Sequence, residues 1–129
     1  MQFKENKAIY LQIADLICED IAAGKFKEDD KIPSVREYAT TLEVNANTCA
    51  RAFDWLQGMD IIYTKRGLGY FVTEGAKETV LSTKRTAFFL STLPEMASQM
   101  KILGISINEV TKTLKEMHEF DRMDESNKA

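Results

Sequence analysis

Residues 33–72 read PSVREYATTLEVNANTCARAFDWLQGMDIIYTKRGLGYFV, and this stretch decides the fold. Ser34 followed by Glu37 makes a capping box, in which hydroxyl and carboxylate satisfy backbone donors that a helix N-terminus leaves open. A short helix therefore starts at Ser34. Val35, Tyr38, Ala39 and Leu42 recur at the spacing of one apolar helical face, leaving Arg36 on another face, free to meet a phosphate. Glu43-Val44-Asn45 breaks that period: Val44 pins a turn, and Asn45 offers its side chain as the N-cap of a second helix, predicted to run to about residue 57. There Cys49, Ala52, Phe53 and Leu56 share one face, while Ala46, Asn47, Ala50 and Arg51 lie outside it in the N-terminal half. Next come two β-prone runs, Ile61-Ile62-Tyr63-Thr64 and Tyr70-Phe71-Val72. They are joined by Lys65-Arg66-Gly67-Leu68-Gly69, with glycines where a tight hairpin needs positive φ and two cations at the tip. Two helices joined by a tight turn and followed by a hairpin make a winged helix-turn-helix.

That architecture carries expectations for chemistry. The N-terminal half of the second helix is the part that enters a major groove. Small Ala46 and Ala50 allow close approach, Asn47 can read a base edge or hold a phosphate, and Thr48 can bond a phosphate oxygen. A cationic hairpin tip suits a phosphate or minor-groove contact. The expected DNA-binding set is therefore Ser34, Arg36, Asn45, Ala46, Asn47, Thr48, Arg51, Lys65, Arg66 and Gly67.

At these residues the chain resembles a known family, the GntR transcriptional regulators. The resemblance is carried by Lys31-Ile32-Pro33-Ser34-Val35-Arg36-Glu37-Tyr38-Ala39, Leu42-Glu43-Val44-Asn45-Ala46-Asn47-Thr48, Arg51-Ala52-Phe53, Leu56, and Arg66-Gly67-Leu68-Gly69-Tyr70-Phe71-Val72. With Tyr10-Leu11-Gln12-Ile13 upstream it covers most of residues 8–73, a combination far more specific than any single motif. The Val-Asn-x-Asn-Thr turn and the short tail are similar to the YtrA-like branch, which implies a small repressor of its own operon or of a transporter operon. Three positions depart from the pattern. Asp60 stands where relatives usually carry Gly, so a left-handed backbone there would be strained; Ala46 replaces the usual Pro or Arg, and Cys49 the usual Val.

Outward from this centre, residues 8–23 carry Ile9, Ile13, Leu16, Ile17 and Ile21 at helical spacing, with Gly24 as the stop, and predict a helix that closes the back of the module. Lys31-Ile32 is expected to add a short strand against the wing. The acidic run Glu28-Asp29-Asp30 lacks the Gly and distal Glu of a calcium loop and reads as a solvated turn. Beyond Gly75 the pattern turns helical. Val80, Leu81, Phe88, Phe89 and Leu90 mark a helix over 76–92 that Pro94 interrupts or kinks. A piece over 95–103 ends at Gly104, and a second Ser-x-x-Glu box (Ser106, Glu109) opens a last helix to about residue 120, with Ile107, Val110, Leu114 and Met117 on one face. His118 is placed near that helix's C-terminus, facing solvent, and residues 122–129 read as a polar, frayed end.

With 129 residues, 44% apolar and 29% charged, the chain suits one small domain plus an appendage, and no large catalytic domain fits. The net charge of −3 looks awkward for a DNA binder, since phosphate affinity comes largely from Lys and Arg. Nor is either half basic: residues 1–73 hold nine Lys and Arg against eleven Asp and Glu, and residues 74–129 hold eight against nine. Any positive patch must be local, built from Arg36, Arg51, Lys65 and Arg66. These cations also argue against the alternative function, a winged-helix protein-interaction module without specific DNA binding.

Cys18 and Cys49 form no C-x-x-C pair and read as small buried hydrophobes. With a single histidine no metal site is expected, and no cofactor or catalytic constellation stands out. No apolar run approaches a membrane span and no signal peptide opens the chain, so a cytoplasmic protein with no membrane partner is expected. The expected fold is mainly α with a small β-hairpin. It comprises a winged helix-turn-helix DNA-binding domain over 1–74 and a short all-α dimerisation segment over 75–129. That tail is too short to bury its own stripes, which predicts a homodimer on a palindromic operator. A small-molecule effector pocket lined by Phe88, Phe89, Met96 and Met100 is the second reading of the tail.

Overall fold

Ile13, Ile17 and Ile21 recur one turn apart, and in the computed structural model they seat helix α1 (Ile9–Ala22) in the core, with the small Ala14 and Cys18 beside them. The structure describes Phe3 and residues 7–117. The buried face is turned slightly from the predicted stripe. Ile9 is 45% exposed in the first turn and Leu16 only half-buried, because Ala14 and Cys18 let the helix approach its neighbours on their side instead. Gln12, the buried polar residue of this helix, donates from Nε2 to the Lys7 carbonyl at 2.8 Å and so ties down the chain entering it.

Helix α2 (Val35–Leu42) starts at the predicted capping box: the Glu37 amide donates to Ser34 Oγ and the Ser34 amide to Glu37 Oε1, both at 3.1 Å. A left-handed Glu43 ends it. Helix α3 (Ala46–Gly58) opens on Asn45, whose Oδ1 accepts from the Asn47 amide at 2.7 Å. Its predicted inner face is fully buried: Cys49, Ala52, Phe53 and Leu56 have no exposed surface. Phe53 sits at the centre, edge-on to Tyr38 at 5.8 Å and to Tyr70 at 4.8 Å. Burial of such a ring contributes roughly 1.5–3 kcal/mol, and each aromatic pair about 0.5–1.5 kcal/mol more.

Strands β1 (Ile62–Lys65) and β2 (Gly69–Val72) form an antiparallel hairpin in the register Ile62↔Val72, Tyr63↔Phe71, Thr64↔Tyr70, Lys65↔Gly69. The first strand begins one residue later than predicted because the Ile61 amide is held by the Leu56 carbonyl at 3.0 Å, closing the end of α3 around a left-handed Asp60. Lys31 bridges to Phe71, and the Ile32 amide donates to the Tyr70 carbonyl at 3.0 Å, which supplies the expected short edge against the wing.

Helix α4 (Ala76–Ala87) follows. The chain divides into two compact units after Arg85, and Ala76 and Val80 of α4 are buried in the core of the first. In the second unit a π-helical turn (Phe88–Thr92) leads into α5 (Leu93–Leu103), so the helical path widens before Pro94 where a break or kink was expected. The wider turn spares the carbonyl that a proline ring would meet in a regular helix. Gly104 ends α5, and α6 (Ile107–Glu116) starts on Ser106, whose Oγ accepts from the Glu109 amide at 3.1 Å without the reciprocal bond of a full capping box. None of the described residues of the π-turn, α5 or α6 is buried. His118, the predicted extension to residue 120 and the polar end over 122–129 lie outside the described residues.

Candidate nucleic-acid interface

The two-sided character of α3 sets the site. With its inner face consumed by the core, the N-terminal half turns Ala46, Asn47 and Arg51 to the exterior, with Thr48 and Ala50 half-exposed beside them. Ser34 and Asn45 are exposed but already engaged, since each side chain accepts from a helix amide; their direct work is to fix the starts of α2 and α3. Arg36 stands exposed on α2, as the spacing predicts.

The wing tip is a three-residue loop, Arg66-Gly67-Leu68, closed by the Leu68 amide on the Lys65 carbonyl at 2.9 Å. Gly67 and Gly69 have φ of 78° and 117°. At Gly69 a Cβ would also meet the Lys31 side chain at 3.1 Å, so the stem of Lys31 lies along the wing base and adds a cation that the predicted set lacks. Lys65, at the end of β1, rests on the wing's own rings: its Nζ lies 4.5 Å from the Phe71 ring centre and 5.9 Å from that of Tyr63. Tyr63 and Phe71 stack at 5.8 Å as direct cross-strand partners, a pairing that a three-residue hairpin loop implies. Arg51 is likewise supported, with its guanidinium 4.1 Å from the centre of the Tyr10 ring.

The acidic run does more than face water. Tyr63 Oη donates to Asp29 Oδ1 at 2.7 Å, which holds the tyrosine proton and pushes its pKa up. The Asp29 amide donates to the Val72 carbonyl at 2.8 Å, and the Val72 amide to the Asp30 carbonyl at 3.0 Å. Glu28 Oε1 accepts from the Gly75 amide at 2.8 Å, and Asp30 Oδ2 from the Lys27 amide at 2.9 Å. The turn therefore clamps the base of the wing and the start of α4. Three acidic residues between Lys27 and Lys31 gave no sequence signal of this role, because their partners lie far along the chain.

Both cysteines are free and buried, and burial pushes the Cys18 thiol up to about 11 and raises that of Cys49, so each is a small apolar side chain at neutral pH. Among the described residues no group of three His, Cys, Asp or Glu could hold a metal ion, and no helix is long and apolar enough to cross a membrane.

A capped helix pair, a second helix with one face in the core and one outside, and a hairpin with a cationic tip together define a winged helix-turn-helix protein. The chain belongs to the gntR family of bacterial regulatory proteins, whose sequence model matches residues 9–72. It is 34% identical over 117 residues to the HTH-type transcriptional repressor YtrA of Bacillus subtilis, covering 91% of this chain and 84% of YtrA. The uncharacterised HTH-type transcriptional regulator YhcF of the same organism is 35% identical over 114 residues, covering 88% of this chain and 93% of YhcF. Both likenesses extend well into the helical tail. A crystal structure of a GntR-family protein from Bacteroides thetaiotaomicron is 42% identical, covers 93% of this chain and all of its own, and superposes with a TM-score of 0.68.

Proposed function

We propose that this regulator is a dimeric repressor that binds a palindromic operator in the cytoplasm through Arg36, Ala46, Asn47, Thr48, Arg51, Lys65, Arg66 and Gly67, with Ser34 and Asn45 contributing by fixing the helix starts that present them. The single observation that carries the reading is α3 itself: its inner face is spent on the core while Ala46, Asn47 and Arg51 stand outside at its N-terminal end. A module that met only proteins would have no use for cations beside that end and at the wing tip. Repression is taken from the likeness to YtrA of Bacillus subtilis, and the controlled genes are its own operon or a transporter operon. Neither the site nor the relatives call for an enzymatic role. The residues from Thr86 onward serve dimerisation, and Phe88, Phe89, Met96 and Met100, which stand exposed or half-exposed, are assigned to that contact in preference to an effector pocket.

The side-chain amide of Asn47 is exposed beside small Ala46, with no hydrogen-bond partner among the described residues, so it is assigned to a base edge, with adenine as the matching partner. Selection of duplexes from a random pool, run with the wild-type chain and with Asn47→Ala, tests this. The expected result is a two-fold symmetric consensus that loses information at one position per half-site in the variant, at a cost of about 1–3 kcal/mol on the selected duplex. An unchanged consensus with uniformly weaker binding would reduce Asn47 to a phosphate contact, and a consensus without symmetry would refute paired docking.

A further inference from the structure

The Arg51–Tyr10 contact joins two elements that the DNA-binding reading does not otherwise connect: the N-terminal half of α3 and the first turn of α1. Arg51 is exposed, and no carboxylate pairs with it among the described residues. Its guanidinium stands 4.1 Å from the centre of the Tyr10 ring. Tyr10 is itself half-buried and packed against the core, so the surface under the guanidinium is fixed by the fold. The two side chains form one wall of a shallow recess that Ala8, Ile9, Asn47 and Thr48 complete. Arg36 and Arg66 have no aromatic support among the described residues.

We propose that Tyr10 is a positioning residue for DNA binding: its ring holds the Arg51 guanidinium in place beside Asn47 and Thr48. The proposal rests on the DNA-binding reading given above. A guanidinium stacked on a ring uses its flat face and keeps its in-plane N–H donors open for phosphate or a base edge. The rotamer freedom that an unsupported arginine loses on binding is then already given up in the free protein. Such preparation matters more in a module with nine Lys and Arg against eleven Asp and Glu, where few cations do the binding.

The test uses the full chain, the duplex that the wild type recovers from a random pool, and a mixed-sequence duplex of equal length. Tyr10→Phe keeps the ring and should bind as the wild type does. Tyr10→Leu should weaken binding about five- to thirty-fold, the scale of an exposed cation–π contact in two protomers, with the salt dependence unchanged because the charge remains. Arg51→Ala should lower the salt slope by about one per protomer, and adding Tyr10→Leu to it should cost nothing more. Equal losses from Tyr10→Leu in both backgrounds, or no loss at all, would overturn the positioning role while leaving DNA binding intact. If Tyr10→Leu does not fold, Arg51→Lys decides: it keeps the charge without the flat face, so it should reproduce the loss at unchanged slope, and wild-type binding by it would overturn the proposal. A wild-type chain that retains neither duplex overturns the DNA-binding reading and this inference with it.

Discussion

Arg36 and Arg66 stand on the surface with no carboxylate and no ring against them among the described residues, whereas Arg51 and Lys65 rest on aromatic faces. The difference sorts the cations by what their loss should do. An unsupported surface arginine contributes little to the fold, since exposed charges contribute little even when paired. In a complex with DNA, however, each one that neutralises a phosphate releases a counterion. Arg36→Ala and Arg66→Ala should therefore weaken binding to every duplex alike and lower the salt slope by about one per protomer each, with melting temperature unchanged. Titrations at a series of salt concentrations check this, and normal operator binding by either variant at physiological salt would remove that residue from the interface. Lys65 differs because its loss would also uncover the Phe71 ring, mixing stability with affinity.

Helix ends show a common device at the scale of elements. Helices α1, α2, α3 and α5 all finish with a residue of positive φ, followed by an amide that reaches back five residues: Lys25 to the Asp20 carbonyl at 2.9 Å, Val44 to Ala39 at 3.0 Å, Ile61 to Leu56 at 3.0 Å and Ile105 to Met100 at 2.9 Å. Gly24 and Gly104 fill that position in α1 and α5, but Glu43 and Asp60, at φ of 56° and 58°, fill it in α2 and α3. A side chain there crowds the backbone, and a carboxylate also faces the negative end of the helix dipole. Glu43→Gly and Asp60→Gly should each stabilise the fold by about 0.5–1 kcal/mol, partly offset by glycine's own entropy. That corresponds to a melting rise of roughly 2–6 °C, and an unchanged or lower melting point would show that these turns carry no strain. Asp60 was legible in the sequence because a family pattern placed glycine there; Glu43 was not, because nothing local distinguishes a left-handed glutamate. The same contrast runs through the fold. Caps and periodic stripes made α1, α2, α3 and the hairpin legible, since their causes lie within a few residues. The bonds of Glu28 and Asp29 to Gly75 and Tyr63, the ring beneath Arg51, and the π-turn before Pro94 were not, because each depends on packing between distant segments or on a choice among helical registers of similar energy.

The two compact units of the chain bury apolar surface very differently. The first, through Arg85, encloses a core of isoleucines, Phe53, Leu56 and Val72; the second buries none of its described residues and leaves Phe88, Phe89, Leu90, Ile102, Leu103 and Ile107 between 47% and 83% exposed. Solvated rings and aliphatic side chains in that number are unfavourable by about 25 cal/mol for each Å² left in water, and monomeric proteins rarely carry them in one short segment. A second copy of the same segment is the simplest cover, because a self-complementary two-fold contact buries each apolar residue twice and supplies the symmetry that a palindromic operator requires. Sedimentation at micromolar concentration should accordingly give a dimer. Truncation after Arg85 is the informative deletion, because Ala76 and Val80 belong to the first core and must be kept. The shortened chain should be monomeric, melt cooperatively, and bind a single half-site with the same salt slope per protomer, but bind the full palindrome far more weakly than the intact chain, as expected when two linked contacts become one. Replacing Phe88, Leu90 and Ile102 with serine in the intact chain should reproduce that loss without removing any helix. A full-length protein that sediments as a monomer and keeps its helical spectrum would refute the dimer, and a truncated chain that still binds the palindrome as tightly would show that pairing depends on the first unit instead.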